Sequence, residues 1–444
     1  MAHHWAMTSD ILDRSAAAID DNVMFEPDGR PFGLGLPGDG LGASHELQDG
    51  VTMIESFAHV HVIETASAAV VFDSSVPDLG PRVADRVRAG TRAPVSHVVL
   101  THGHRDHAGG AAALVDGLAT PGRRPLLVGH EALPHRVARY RLTDGYNQVI
   151  NQRQFGRVPN WDLAGGWAFE VPDLDVSFNR RITLDVGGLE VELRHVRAET
   201  DDHLWAWIAE RAVAVTGDLM LWHVPNAGNP AKSQRYPLEW VAALRDIAEV
   251  GAQLLLPGHG LPIAGRERIR RVLLDTASVL EELTMMTLDL MNRGASLDDV
   301  LAEARLAGER IRRPYLAPTY DEPEFVVRNV WRLYGGWYDG VASNLKPARY
   351  ASVASELADL AGGPLALARR AETLAGEGKT AVACHLIDLA AAVEPTSAAV
   401  HGVRAGIYWQ RRAEQQSIMA AAIYESTARE SDARAAAGLG EVAG

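Results

Sequence analysis

Three histidines and an aspartate crowd six consecutive positions of the stretch LTHGHRDHAGG, Leu100 to Gly110. Imidazole and carboxylate are the donors that hold a divalent metal where thiolate is absent, and four of them this close together read as a metal site. The run before them, Val95 to Leu100, is short, β-branched and bounded by Ala-Pro, so it reads as a buried strand whose C-terminal end carries the ligands. Side chains alternate along an extended segment, which lets His102 and His104 face one metal while Asp106 and His107, on the following turn, address a second. The Ala-Gly-Gly that follows lets a helix start close against the site. Two later strand ends offer the remaining donors: Asp218, closing RAVAVTGD, where a carboxylate could bridge two metals, and His259 in LLLPGHG.

The elements that must position these residues alternate in character along the chain. Gly50 to Ser75 reads as three short strands with alternating apolar positions, a meander on one side of a sheet. Pro81 to Ala89 is a short helical stretch, followed by the ligand-bearing strand, a helix through Ala111 to Leu118 and a strand at Leu126 to Val128. Glu131 to Asn179, dense in aromatics and amides, is expected to be irregular and to form either a wall or lid over the site or a surface insertion that packs on itself through Tyr140, Tyr146, Phe155 and Trp161. ITLDVGGLEVELRHV is a hairpin turning at Gly187-Gly188, and LWAWIAE with RAVAVTGD forms another. Two strand-rich halves, each ending in helices, predict an α/β sandwich of sheets with helices outside. After Pro257-Gly258-His259-Gly260 the pattern turns helical, with a long amphipathic run at Arg266 to Met291. Ala358 to Ala436 is alanine-rich, like a short stack of tetratricopeptide-like hairpins. The expected organisation is an N-terminal arm at 1–50, a catalytic domain at 51–295 and an all-α helical domain at 296–444.

Composition narrows the partners. A chain of 444 residues exceeds the size of one growing core, so at least two domains are expected. A net charge of −14 argues against nucleic acid or an acidic membrane surface, which need clustered Lys and Arg. The single cysteine, Cys384, allows no intramolecular disulfide and no thiolate cluster, leaving His, Asp and Glu to hold any metal. No basic segment followed by an apolar core opens the chain and no apolar run nears membrane-spanning length, so a cytoplasmic protein is expected. His3 and His4 are assigned no role.

The order HxHxDH, then a ligand in an HxxxH-type segment, then Asp, then Gly-His resembles the metallo-β-lactamase superfamily, over about Val51 to Arg270. That family's fold is an αββα sandwich. At His195 to Thr200, where many relatives carry two histidines four apart with the second a ligand, the second place is Glu199; the alkyl sulfatase branch likewise has a ligand Glu there. That branch adds a helical dimerisation domain, which Arg312 to Pro347 is similar to. The resemblance implies that His102, His104 and Glu199 hold one Zn²⁺ and Asp106, His107 and His259 the other, with Asp218 bridging. Asp106 and Asp218 then belong to the catalytic set as well as the ligand set, His195 is no ligand, and His203 is placed to hydrogen-bond a ligand or leaving group.

Two zinc ions lower the pKa of a bound water and clamp an anionic ester. The implied function is hydrolysis of a small anionic alkyl sulfate ester to inorganic sulfate and an alcohol, by a homodimer. The same metals with a different pocket would serve a lactone, thioester or phosphodiester. A purely structural metal site fits less well, because such sites are closed and Cys-rich. Two departures from the sulfatases stand out: the bridging place is Asp218 where they have Glu, and the chain is expected to lack their C-terminal sterol-carrier-like domain. In LMLWHVPNAGNPAKSQRYP, the groups His223, Asn226, Lys232 and Arg235 are of the kind that receive a sulfate. Tyr146 and Arg153 of the long insertion are expected to close from the other side.

Overall fold

A computed structural model describes residues 8–26, 32, 40–155, 167–306 and 308–442. They form two compact units: the first runs to Gln148 and from Trp167 to Trp337, the second comprises Val149 to Phe155 and Tyr338 onward. His3, His4 and Trp161 lie outside the described residues.

The first unit holds helix α1 (Thr8–Asp20) and two sheets. Strands β1 (Leu41–Gln48), β2 (Val51–Ser56), β3 (Val60–Glu64), β4 (Ala69–Phe72), β5 (Val95–Val99), β6 (Leu126–His130) and β7 (Val176–Phe178) form one sheet in sequential order. The first four are antiparallel, the expected meander plus a strand that begins at Leu41, inside the stretch expected as an arm. The pairings from β4 to β7 are parallel, with α2 (Gly80–Gly90), α3 (Arg105–Ala108), α4 (Ala111–Gly117), α5 (Leu133–Leu142) and α6 (Asp144–Phe155) between them in the chain. The second sheet has the order β13-β12-β11-β10-β9-β8, from β8 (Arg181–Val186), β9 (Leu189–His195), β10 (Leu204–Ile208), β11 (Val213–Gly217), β12 (Leu254–Pro257) and β13 (Ile263–Ala264).

The two-residue period of the strands sorts their side chains into layers. Val70 and Phe72 of β4 and Val99 of β5 join Val191, Leu193 and Leu204 of the second sheet in one buried cluster. Val71 and Val98, on the other face, pack with Val83 and Val87 of α2 and Leu114 of α4. β12 is buried at every position, as strands covered on both faces must be, and Trp240 of α7 (Pro237–Glu249) and Ile269 of α8 (Arg266–Asn292) join its cluster. Helix, sheet, sheet and helix thus stack as the expected αββα sandwich.

Glu131 to Asn179 differs from its expected irregularity, because α5 and α6 occupy it as far as Phe155. Polar side chains at helical spacing hide the period: Asn147 Nδ2 donates to the Thr143 carbonyl, four residues back, at 3.0 Å. The division expected at 295/296 falls within the first unit. Beyond it, α9 (Leu297–Glu303) starts at a capping box of Ser296 and Asp299, and Val326, Val327 and Val330 of α10 (Pro323–Gly335) share the sandwich core.

The second unit contains α11 (Ala342–Leu345), α12 (Tyr350–Ala361), α13 (Pro364–Gly376), α14 (Thr380–Val393), α15 (Ala398–Ala413) and α16 (Ile418–Val442). Its core is built from Ala358, Ala371, Ala383, Ala390 and Ala428 with Leu367, Ile387 and Ile407, where small side chains let helices approach closely.

Candidate metal centre

Strand direction brings distant ligands to one edge. β4 and β5 are parallel, as are β11 and β12, so the C-terminal ends of each pair lie side by side. β10 runs antiparallel to β11, which sets the loop before β10, carrying Glu199 to His203, beside the end of β11. The Leu204 amide donates to the Thr101 carbonyl at 2.8 Å and joins the two ligand-bearing edges directly.

Two groups of potential donors result: His102, His104, Glu199 and Asp218, and beside them Asp106, His107 and His259, each group with ligand atoms within 4.8 Å of one another. His102 Nε2 and His104 Nδ1 are 2.8 Å apart, and His104 Nδ1 is 3.7 Å from Glu199 Oε1. Asp218 faces both groups: Oδ2 lies 3.9 Å from His102 Nε2, while Oδ1 lies 3.3 Å from His107 Nε2 and 3.6 Å from His259 Nε2. Asp106 Oδ2 is 3.4 Å from His259 Nε2 and 3.8 Å from His107 Nε2. Gly258 leaves the room this needs, since a Cβ there would lie 2.4 Å from Asp218 Oδ1 and 2.7 Å from His107 Cε1.

A metal fits this donor set. His107 Nε2, Glu199 Oε2 and Asp218 Oδ1 are buried without a hydrogen-bond partner, a costly state that a cation between them relieves. Nitrogen and oxygen donors without sulfur suit Zn²⁺ among the biological divalent metals that favour imidazole. Burial, together with the charge of His107, holds His102 well below the usual imidazole range, and burial with Arg136 and Arg235 does the same to His104. Both therefore present neutral rings that could ligate a metal. Burial opposes charge on Asp218, yet His107 and His259 hold its carboxyl well below the usual carboxylate range.

Several residues that hold these ligands escaped the sequence reading. Asp73, directly after β4 at a φ of 63°, receives His107 Nδ1 at 2.7 Å, the Thr101 amide at 2.7 Å and the Thr101 hydroxyl at 2.8 Å. Its grip leaves His107 Nε2 for a metal, the usual arrangement of carboxylate, histidine and metal. Its one signal was VVFDSS, another strand ending in a carboxylate. Asp202 Oδ2 accepts the Gly103 amide at 2.8 Å, between two ligand histidines. Two histidines at the start of β3 brace the last candidate ligand loop: His59 Nε2 lies 2.8 Å from the Gly260 carbonyl and His61 Nε2 lies 2.9 Å from that of Pro257.

The residues expected at the substrate fall into three sets. Arg235 and Asn226 both contact Glu199: Arg235 forms a buried ion pair with it, and Asn226 Nδ2 donates to its Oε1 at 2.5 Å. Burial nevertheless pushes the Glu199 carboxyl up to about 8, against the pull of Arg235. Lys232 and His223 stay near the centre. Burial and the charge of Arg235 lower the Lys232 ammonium to about 7, and His223 donates from Nδ1 to the Val224 carbonyl at 2.7 Å with its ring 5.2 Å from that of Tyr320. Tyr146 is exposed, and Arg153 is an exposed residue of the second unit. His203 stacks on His102 with ring centroids 4.6 Å apart and accepts the Asp218 amide at Nε2, so it touches the ligands from behind. His195 stacks on His130 and bonds the Asp201 carbonyl, outside both ligand groups. A cavity of 470 Å³ beside Ile54, Val62, Arg86 and Val87 is lined by none of the candidate ligands.

Comparison with known proteins adds to this geometry. The profile of the metallo-beta-lactamase superfamily matches residues 54–259, and that of the alkyl sulfatase dimerisation family matches 296–433. A linear primary-alkylsulfatase of Pseudomonas sp. (strain ATCC 19151) is 25% identical over 320 residues, covering 68% of this chain and 60% of that protein. An (R)-specific secondary-alkylsulfatase of Pseudomonas sp. is 26% identical over 313 residues, covering 65% and 47%. The chain therefore spans about half to three fifths of these relatives' lengths. The solved structure of a stereoselective inverting sec-alkylsulfatase from Pseudomonas sp. superposes with a TM-score of 0.78 at 21% identity, covering 89% of this chain and 66% of that one.

Proposed function

Since the chain belongs to the alkyl sulfatase branch of the metallo-beta-lactamase superfamily, we propose that it is a dinuclear zinc hydrolase that splits alkyl sulfate esters into inorganic sulfate and an alcohol. The observation that carries this reading is the shared position of Asp218, whose two oxygens face the two donor groups. His102, His104 and Glu199 would hold one ion, Asp106, His107 and His259 the other, and Asp218 both. Bound there, two zinc ions would supply a water acidified to near-neutral pKa and a Lewis-acidic seat for a sulfate oxygen.

The chain's own residues divide the remaining work. Burial disfavours charge on Asp106, but His107 and His259 lower its pKa, so its carboxylate is ionised and available to a cation. His203, through its bond to the Asp218 amide, acts as a positioning residue. Lys232 supplies positive charge on the side of Asp106 and Glu199, where an anionic ester must arrive. Arg235 and Asn226 act one step back, by fixing Glu199.

The test is sulfate release from dodecyl sulfate by the purified protein, followed by ion chromatography with the zinc content measured alongside. Chelation should abolish turnover and zinc should restore it. Turnover of neutral esters or lactones in preference to dodecyl sulfate would overturn the sulfatase reading while leaving a zinc hydrolase. We also propose a homodimer formed through the helical unit, supported by the dimerisation-family match and by an apolar stripe on α12 discussed below.

A further inference from the structure

Among the described residues, three buried arginines stand around the metal centre, and two are committed. Arg235 is paired with Glu199, and Arg136 donates to Asp201 at 2.8 Å. Arg105, between the ligands His104 and Asp106, is only 8% exposed, yet its Nε and Nη1 have no hydrogen-bond partner. Its guanidinium lies 5.8 Å from the ring centroid of Trp167. Asp78 and Asp106 act on it through their charges alone; Asp106 turns its carboxylate toward His107 and His259.

A cation on an indole face gains less than desolvating a charge costs. The balance calls for an anion. Trp167 also links Arg105 to the reaction centre, because Lys232 Nζ lies 4.9 Å from the same ring and feels the charges of Asp106 and Glu199. One indole therefore carries two cations, one facing the metal ligands and one whose buried Nε and Nη1 lack an acceptor among the described residues, a demand that an oxyanion would meet.

We infer that Arg105 and Trp167 form a second anion subsite beside the metal centre, so that the preferred ester carries another oxyanion, a carboxylate or a second sulfate, a short spacer from the sulfate that is cleaved. This rests on the sulfate-ester reading. The scissile sulfate sits on the Lys232 side of the indole and the second anion on the Arg105 side. A plain alkyl sulfate fills the first place and leaves the Arg105 Nε and Nη1 without an acceptor.

The test uses the zinc-loaded protein, Arg105→Met and Arg105→Lys. Titration calorimetry compares inert alkanesulfonates with α,ω-disulfonates over a series of short chain lengths, and kcat/KM compares alkyl sulfates with their ω-carboxylated counterparts. The wild type should favour the doubly charged member at its best length by about tenfold or more, the order of one hydrogen bond between charged groups. Arg105→Met should lose most of that preference and Arg105→Lys part of it, with zinc content retained in both. A wild type indifferent to the second charge would overturn the inference, as would Arg105→Met variants that lose zinc or weaken both compounds equally. Arg105-dependent disulfonate binding without hydrolysis of any sulfate ester would support the subsite and sink the sulfatase reading instead.

Discussion

Glu199 and Arg235 form a pair in which neither member is independent. The arginine was expected at the substrate because a cation after Asp218 in a Gly-Asn-Pro loop suits sulfate. Instead its guanidinium meets Glu199, with Nη1 also donating to the Asn226 carbonyl at 2.7 Å. Removing one partner of a buried ion pair costs about 3–5 kcal/mol because the other charge is stranded. Arg235→Ala should therefore lower zinc content together with activity, by the roughly 10- to 100-fold in affinity that outer-shell losses bring. Lys232→Ala should leave zinc in place and raise KM. Metal analysis after dialysis separates the two, and an Arg235→Ala protein with full zinc would return that residue to the substrate. The difference shows which residues can be read from sequence alone. His102 to His107 are local, so their spacing speaks for itself, whereas the partner of Arg235 lies 36 residues away across a fold that must already be known.

The elements were legible wherever the apolar period was clean. The meander through β4, the strand ending at the first ligands and the Gly187-Gly188 hairpin all follow from alternation and turn chemistry. α5 and α6 were hidden because amides and charges occupy positions that helix packing would make apolar. Nothing in the local pattern of β3 announced its support of a loop some two hundred residues later. His59 and His61 reach the carbonyls on either side of His259, and the His59 amide donates to the Gly258 carbonyl at 2.7 Å. Burial lowers His59 to about 4 and His61 to about 3, so both rings stay neutral across the working range and the brace is independent of pH. His61→Ala should loosen the group of Asp106, His107 and His259 while sparing that of His102 and His104. The expected outcome is a protein that binds close to one zinc per chain. Full double occupancy in that variant would remove β3 from any part in metal retention.

Across the molecule, the helical unit exposes what the sandwich hides. On α12, Tyr350, Val353, Leu357 and Leu360 recur at helical spacing and are all exposed, Leu360 at 85%. A contiguous exposed apolar stripe marks an interaction surface. With Leu357→Glu and Leu360→Glu together, light scattering at micromolar concentration should show the monomer mass, against a dimer for the parent; a parent that is already monomeric would refute the assembly. In the sandwich, the Leu204 amide held by the Thr101 carbonyl has a different consequence. That proton can trade with deuterium only when the edges of the two sheets part, so its lifetime clocks how often the centre opens. Zinc spanning the same gap would act as a clasp, and stripping it should shorten the lifetime of that one amide far more than those buried in mid-strand, such as Val98.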